Sequence, residues 1–197
     1  MMMKKQIILV TTVSIFLFGG VSIFLFVQEI KSPPLQILGN IQDFQLLDTQ
    51  MKEVSLKDLK GRVWIADFIF TTCSGICPVM TKHMLTLHRS FRMVDDLIMV
   101  SITVNPEYDS PMVLAQYAKS HGIDEKKWLF LSGSYDEIKD LAVKSFKIGS
   151  VEEPIFHSGQ FVLVDRKARI RGYYDGTQKE SIQELFHDTA RLIRERE

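Results

Sequence analysis

The chain has two cysteines, Cys73 and Cys77, both in the stretch "WIADFIFTTCSGICPVMTKHM" from Trp64 to Met84. Three residues separate them and Pro78 follows the second. A helix that starts at Cys77-Pro78 puts both sulfurs near its N-terminus, where unpaired N–H groups and the helix dipole favour thiolate over thiol. The pair could form a structural disulfide, exchange with other disulfides, or bind a metal. A bridge closing a ~5-residue loop yields only roughly 2 kcal/mol of chain-entropy stabilisation, against about 4.7 for a ~100-residue loop, which argues against a purely structural role. Cys-x-x-Cys would point to a thioredoxin-type oxidoreductase. Cys-x-x-x-Cys sets two sulfurs on one side of a turn with room for an ion between them. Two thiolates are soft ligands that suit Cu(I), Zn(II) or Cu(II), and a metal would want at least a third ligand.

Five histidines are candidates for that ligand. His83 follows Cys77 by nearly two turns and should point away from the helix tip. His88 lies further along the same helix, His121 beside Gly122 at a helix end, and His187 among polar residues of the last helix. His157 differs, because "EEPIFHSGQFVLVD" sets it just before a core strand. In a thioredoxin-like sheet the loop entering that strand faces the dithiol helix tip. A histidine before a strand is also commonly structural or exposed, and position alone leaves both readings open. Asp67 is costly to bury without a partner, so it either orients the site or pairs with a neighbour. Met80 and Met84, one turn apart, could be soft auxiliary ligands but read rather as core filler on a helix's apolar face. Glu107 and Asp109 of "NPEYD" read as a docking edge or as a solvated loop.

The elements that would position these residues alternate. "VWIADFIF" is a buried strand, "DLIMVSITV" a second and "KWLFLSG" a third. The helix after Pro78 carries apolar Val79, Met80, Met84, Leu85 and Leu87. Ser110-Pro111 opens a helix that ends near Ser120 before Gly122. Ser134 with Glu137, and Thr177 with Glu180, are capping boxes for two more helices. "GQFVLVD" and "RIRGYYD" form an antiparallel pair joined at Arg166-Lys167. "DFQLLDTQMKEVSL" reads as a hairpin around Asp48-Thr49, followed by a helical turn at "LKDLKG". The order predicts a layered, mixed α/β sheet with helices on both faces, and sites beyond the carboxyl ends of its strands.

With 24 Lys+Arg and 24 Asp+Glu in 197 residues, the formal net charge is zero, so no basic excess exists to bind nucleic acid. Lys4 and Lys5 precede an uncharged run, Ile7 to Val27, of about 21 residues. At ~1.5 Å per residue this spans roughly 30 Å, the thickness of a bilayer's hydrocarbon core. We expect residues 1–29 to be a cytoplasmic tip and single transmembrane anchor, uncleaved, with residues 30–40 a proline-bearing linker. Residues 41–197 form a domain on the extracytoplasmic side of the cell membrane, where thiols can oxidise.

"DFIFTTCSGICPVM", "VSITVNPEYDSP" and "FHSGQFVLVD", in that order behind an anchor and linker, resemble the Sco/SenC copper proteins, assembly factors of cytochrome c oxidase. The resemblance covers roughly Ile41 to the end. It implies a thioredoxin-like fold and copper, as Cu(I) or Cu(II), bound by Cys73, Cys77 and His157. It further implies delivery to, or thiol maintenance of, the dinuclear copper site of oxidase subunit II, a chaperone's role rather than a classical enzyme's. The chain departs from the family pattern at Ser74, Gly75 and Ile76, where many members carry Pro-Asp, and at Asn105, where many carry Asp. The principal rival is a membrane-tethered thiol–disulfide oxidoreductase acting on the acceptor's cysteines, with Cys73 and Cys77 as its redox pair and no evident use for His157. A peroxide-reducing enzyme and a redox or copper sensor are further rivals.

Overall fold

A computed structural model describes residues 33–149 and 158–195. The chain divides into two units, Met1–Pro34 and Leu35–Glu197. The expected anchor lies outside the described residues, and so does His157. Among the described residues no helix is long and apolar enough to cross a membrane.

The described strands are β1 (Gly39–Asn40), β2 (Gln45–Leu47), β3 (Glu53–Ser55), β4 (Val63–Ile69), β5 (Leu97–Thr103), β6 (Trp128–Leu131), β7 (Gln160–Val164) and β8 (Arg169–Asp175). The helices are α1 (Leu56–Leu59), α2 (Cys77–Ser90), α3 (Pro111–Ser120), α4 (Tyr135–Asp140) and α5 (Lys179–Arg194). A π-helical turn, Leu141–Ser145, continues α4. Six strands form one sheet in the order β1-β8-β7-β4-β5-β6. β4, β5 and β6 run parallel, and β7 is antiparallel to β4 and β8. This is the mixed sheet with flanking helices that the alternation of elements predicts.

β4 is buried along its whole length because both of its faces are covered. Trp64, Ala66 and Phe68 face a core completed by Leu59, Val100, Val162 and Phe146. Phe146 meets the rings of Trp64 and Phe68 edge-on at 5.8 and 5.2 Å. Val63, Ile65 and Ile69 face the opposite core, beneath Met80, Met84 and Leu87 of α2. Met80 and Met84 are therefore filler, as expected. Val79, expected on the apolar face, is exposed.

Two capping expectations divide. Ser134 accepts from the Glu137 N–H, and the Glu137 carboxylate accepts from the Ser134 N–H, completing the box. Thr177 does not cap α5, which starts at Lys179 behind Gln178. The Asp175 carboxylate accepts both the Thr177 N–H (2.8 Å) and its hydroxyl (2.6 Å). That local turn uses up the cap and delays the helix.

Candidate metal centre

β4 ends at Ile69, and the chain turns at once. The Cys73 N–H donates to the Phe70 carbonyl at 3.1 Å, which lifts Cys73 off the strand end. Cys77 is the first residue of α2, with Pro78 in the first turn, where its missing N–H costs nothing. Neither cysteine is in a disulfide. Cys77 is buried (2 % exposed), while Cys73 is half-buried.

The two thiols are unequal. Burial pushes Cys73 up, but a hydrogen bond from Cys77 and backbone N–H groups of Cys77, Gly75 and Ile76 outweigh it and hold Cys73 below the ordinary thiol value. Burial pushes Cys77 well above the ordinary range, and its hydrogen bond to Cys73 and the nearby charges of Cys73 and Asp67 push the same way. The pair is thus an accessible, thiolate-prone sulfur backed by a buried one that shares its proton.

Asp67 lies on the β4 face beneath α2, in register with Ser101 of β5. Ser101 donates its hydroxyl to Asp67 Oδ1 at 2.6 Å, and Trp128 Nε1–H donates to Ser101 at 2.8 Å. Asp67 Oδ2 is buried without a partner. No base pairs with it among the described residues. Burial pushes its pKa up to about 7, against the lowering hydrogen bond of Ser101. The folded carboxyl therefore keeps its proton up to about 7, whereas the unfolded one loses it near 3.8. The stability this group contributes is whole below 3.8, falls between the two values, and stays lost above 7. Asp67→Asn should accordingly stabilise the protein at pH 8, on the order of 1.4 kcal/mol for each pH unit separating the two values. At pH 4 the variant and the parent should nearly match, because both then carry a neutral group. Denaturant titrations at pH 4, 6 and 8 check this; an advantage independent of pH would contradict it.

Three of the other histidines are engaged elsewhere, and the fourth is exposed. His83 Nδ1 lies 2.8 Å from the Gly176 carbonyl oxygen, tying α2 to the β8–α5 turn. His88 packs on Trp128 with its rings 5.9 Å apart, and burial lowers its pKa. The His121 ring lies tilted against Tyr117 with centroids 4.4 Å apart, and its Nδ1 meets the Tyr117 carbonyl at the end of α3. His187 is exposed on α5. Among the described residues no group of three or more His, Cys, Asp or Glu side chains could hold a metal ion.

Two glycines join the start of β7 to the cysteine helix. The Gly176 N–H donates to the Gly159 carbonyl at 2.6 Å. A Cβ on Gly159 would sit 3.4 Å from the Ile76 side chain, immediately before Cys77. A Cβ on Gly176 would come within 2.9 Å of Met80 Cε and 3.1 Å of the Gly159 oxygen. Gly176→Ala should therefore cost about 1–3 kcal/mol, the usual range for overpacking, read as a lower midpoint in thermal unfolding. An unchanged midpoint would show that the two strand ends separate freely.

Sequence reasoning missed several polar residues around the thiols. Thr81, one turn beyond Cys77, meets the Tyr117 hydroxyl at 2.8 Å. Glu107 is exposed, as a docking acid must be, but Asp109 is fully buried. It belongs neither to a docking edge nor to a solvated loop. Its carboxylate accepts from Thr71 and Thr103. The one signal in the sequence was the pairing of "TT" before Cys73 with an acid beyond the next strand.

The family model described as SCO1/SenC matches residues 38–194. The SCO1 protein homolog of Bacillus subtilis is 35% identical, with 84% of this chain and 90% of that protein covered. The structure of BsSco, described as a member of the Sco family of cytochrome c oxidase assembly proteins with a disulfide switch, superposes with a TM-score of 0.72. It is 33% identical, covering 82% of this chain and 98% of that one. ScoI of Bradyrhizobium japonicum, solved with copper bound, shares the fold at a TM-score of 0.62 and 24% identity, over 77% of this chain and 98% of that one.

Proposed function

The chain belongs to the SCO1/SenC family, and on that premise we propose that it is a membrane-anchored copper chaperone for cytochrome c oxidase. Cys73, Cys77 and His157 hold the copper, and the dinuclear copper site of oxidase subunit II receives it. The domain faces the extracytoplasmic side, tethered by the apolar run from Ile7 to Val27.

The observation that carries the reading is the meeting of the β7 start with the helix tip. A Cβ on Gly159 would lie 3.4 Å from the Ile76 side chain, next to Cys77, and His157 stands two residues before Gly159 in the sequence, a reach of at most about 7 Å. The four other histidines have separate partners or surroundings. The donor set also fits copper. Soft sulfur favours Cu(I), while imidazole and the Irving–Williams order favour Cu(II). Two thiolates and a neutral imidazole carry a charge of −2, leaving a neutral site with Cu(II) and a net −1 with Cu(I). Three ligands leave one edge open, through which an acceptor's ligand enters before the donor's leave.

The test mixes the copper-loaded chain, in detergent, with the apo copper-site domain of subunit II and follows metal and thiols in both. An acceptor that gains copper supports delivery. The asymmetry of the thiols favours a second reading, a thiol–disulfide reductase in which the half-buried Cys73 attacks and the buried Cys77 resolves. An acceptor that gains only thiols would establish that reading instead.

A further inference from the structure

The loop between β4 and α2 has few fixed points. Thr72, Ser74 and Gly75 are exposed. β4 and β5 pair only as far as Ile69 and Thr103, and the last backbone bond between them runs from the Val104 N–H to the Ile69 carbonyl at 2.8 Å. Beyond that point the ladder offers the Thr71 N–H no acceptor. Asp109 supplies one. Its Oδ2 accepts the Thr71 N–H at 2.9 Å and the Thr103 hydroxyl at 2.7 Å, and its Oδ1 accepts the Thr71 hydroxyl.

Asp109 is itself fastened from two sides. Its N–H donates to the Asn105 carbonyl at 2.8 Å, and its carbonyl accepts the Ser132 hydroxyl at 3.3 Å. It is 0 % exposed, and among the described residues no cation pairs with it. A carboxylate is expensive to bury, and hydrogen bonds to a charged acceptor are about twice as strong as neutral ones. Two of its three bonds go to Thr71, inside the turn whose closing bond is Cys73 N–H to Phe70. A residue from the loop between β5 and α3 thus clamps the backbone that presents the more accessible sulfur.

We propose that Asp109 is a positioning residue for Cys73, holding the Thr71 turn so that the two sulfurs keep the separation their chemistry needs. The proposal deepens the copper reading, which uses the same two sulfurs, but its test does not require copper. With the clamp gone, Cys73 samples more positions and a Cys73–Cys77 disulfide becomes harder to close.

The experiment compares the full chain with Asp109→Ala, Asp109→Asn and Thr71→Val. It reads the dithiol–disulfide equilibrium against glutathione, the thiolate-to-Cu(II) absorption band, and the thermal midpoint. Asp109→Ala should shift the equilibrium roughly tenfold toward the dithiol, as expected when bonds to a charged group are lost, and should weaken or move the copper band. Thr71→Val keeps the N–H bond and loses one hydroxyl, so it should shift the equilibrium less, in the same direction. Asp109→Asn should recover most of the parent's behaviour, because its oxygen still accepts the Thr71 N–H and its amide can donate to the Thr71 hydroxyl. A lower thermal midpoint with the parent's equilibrium and band in Asp109→Ala would overturn the proposal. If that variant does not fold, a parent-like equilibrium in Thr71→Val overturns it. A chain that takes up no copper yet shows the expected shifts would remove the copper reading and leave Asp109 in place.

Discussion

Serine at position 73 or 77 should abolish tight copper binding. Each substitution replaces a soft, ionisable sulfur with a hard hydroxyl that stays protonated at any physiological pH, leaving one thiolate and one imidazole. Losing a ligand outright should exceed the roughly 10–100-fold loss of affinity typical when only a group hydrogen-bonded to a ligand is removed. The two variants should differ in other respects. Cys73 is partly open to solvent, so Cys73→Ser should leave the fold nearly untouched. Cys77 is buried at the tip of α2, and a hydroxyl there needs a partner that the thiol could do without. Cys77→Ser should therefore also lower the thermal midpoint. Copper content after gel filtration, with titration of the thiolate-to-Cu(II) band, measures the effect. A Cys77→Ser chain that holds one copper as tightly as the parent would sink the dithiolate site.

His157→Ala should weaken Cu(II) strongly and Cu(I) much less. The imidazole is the harder of the three donors and serves the higher oxidation state, while the two thiolates alone still satisfy the soft Cu(I) ion. The variant should then hold copper mainly as Cu(I), with a faded absorption band and a raised Cu(II)/Cu(I) potential. Competition with a Cu(I) chelator, run beside a Cu(II) titration, separates the two states. An unchanged band would remove His157 from the site. The result bears directly on the reading, because Gly159, two residues after His157, lies close to the Ile76 side chain beside Cys77.

Much of the sheet could be read from local patterns. "VWIADFIF" and "LIMVSIT" are apolar along their whole length, as strands covered on both faces must be, and both are fully buried. Cys77-Pro78 marked a helix start because proline's fixed φ suits the first turn. Ser134 and Glu137 closed their capping box because both partners lie within one turn. The same pattern failed at Thr177, where Asp175 competed for the same donors.

The sequence by itself determined the chemistry on offer: two soft sulfurs one turn apart, at the mouth of a helix that follows a core strand. Those features are encoded by neighbours in the chain, where backbone preference and side-chain type suffice. Only the tertiary structure decided which distant residues serve that pair. It buried Asp109 against Thr71, set Asp67 beside Ser101 beneath α2, and gave His83 and His121 backbone carbonyls as partners. Apart from the His121 contact, which lies within one helix end, each of these depends on parallel strands coming into register and on helices covering them. Such contacts join residues far apart in sequence, and no local preference records which of them will meet.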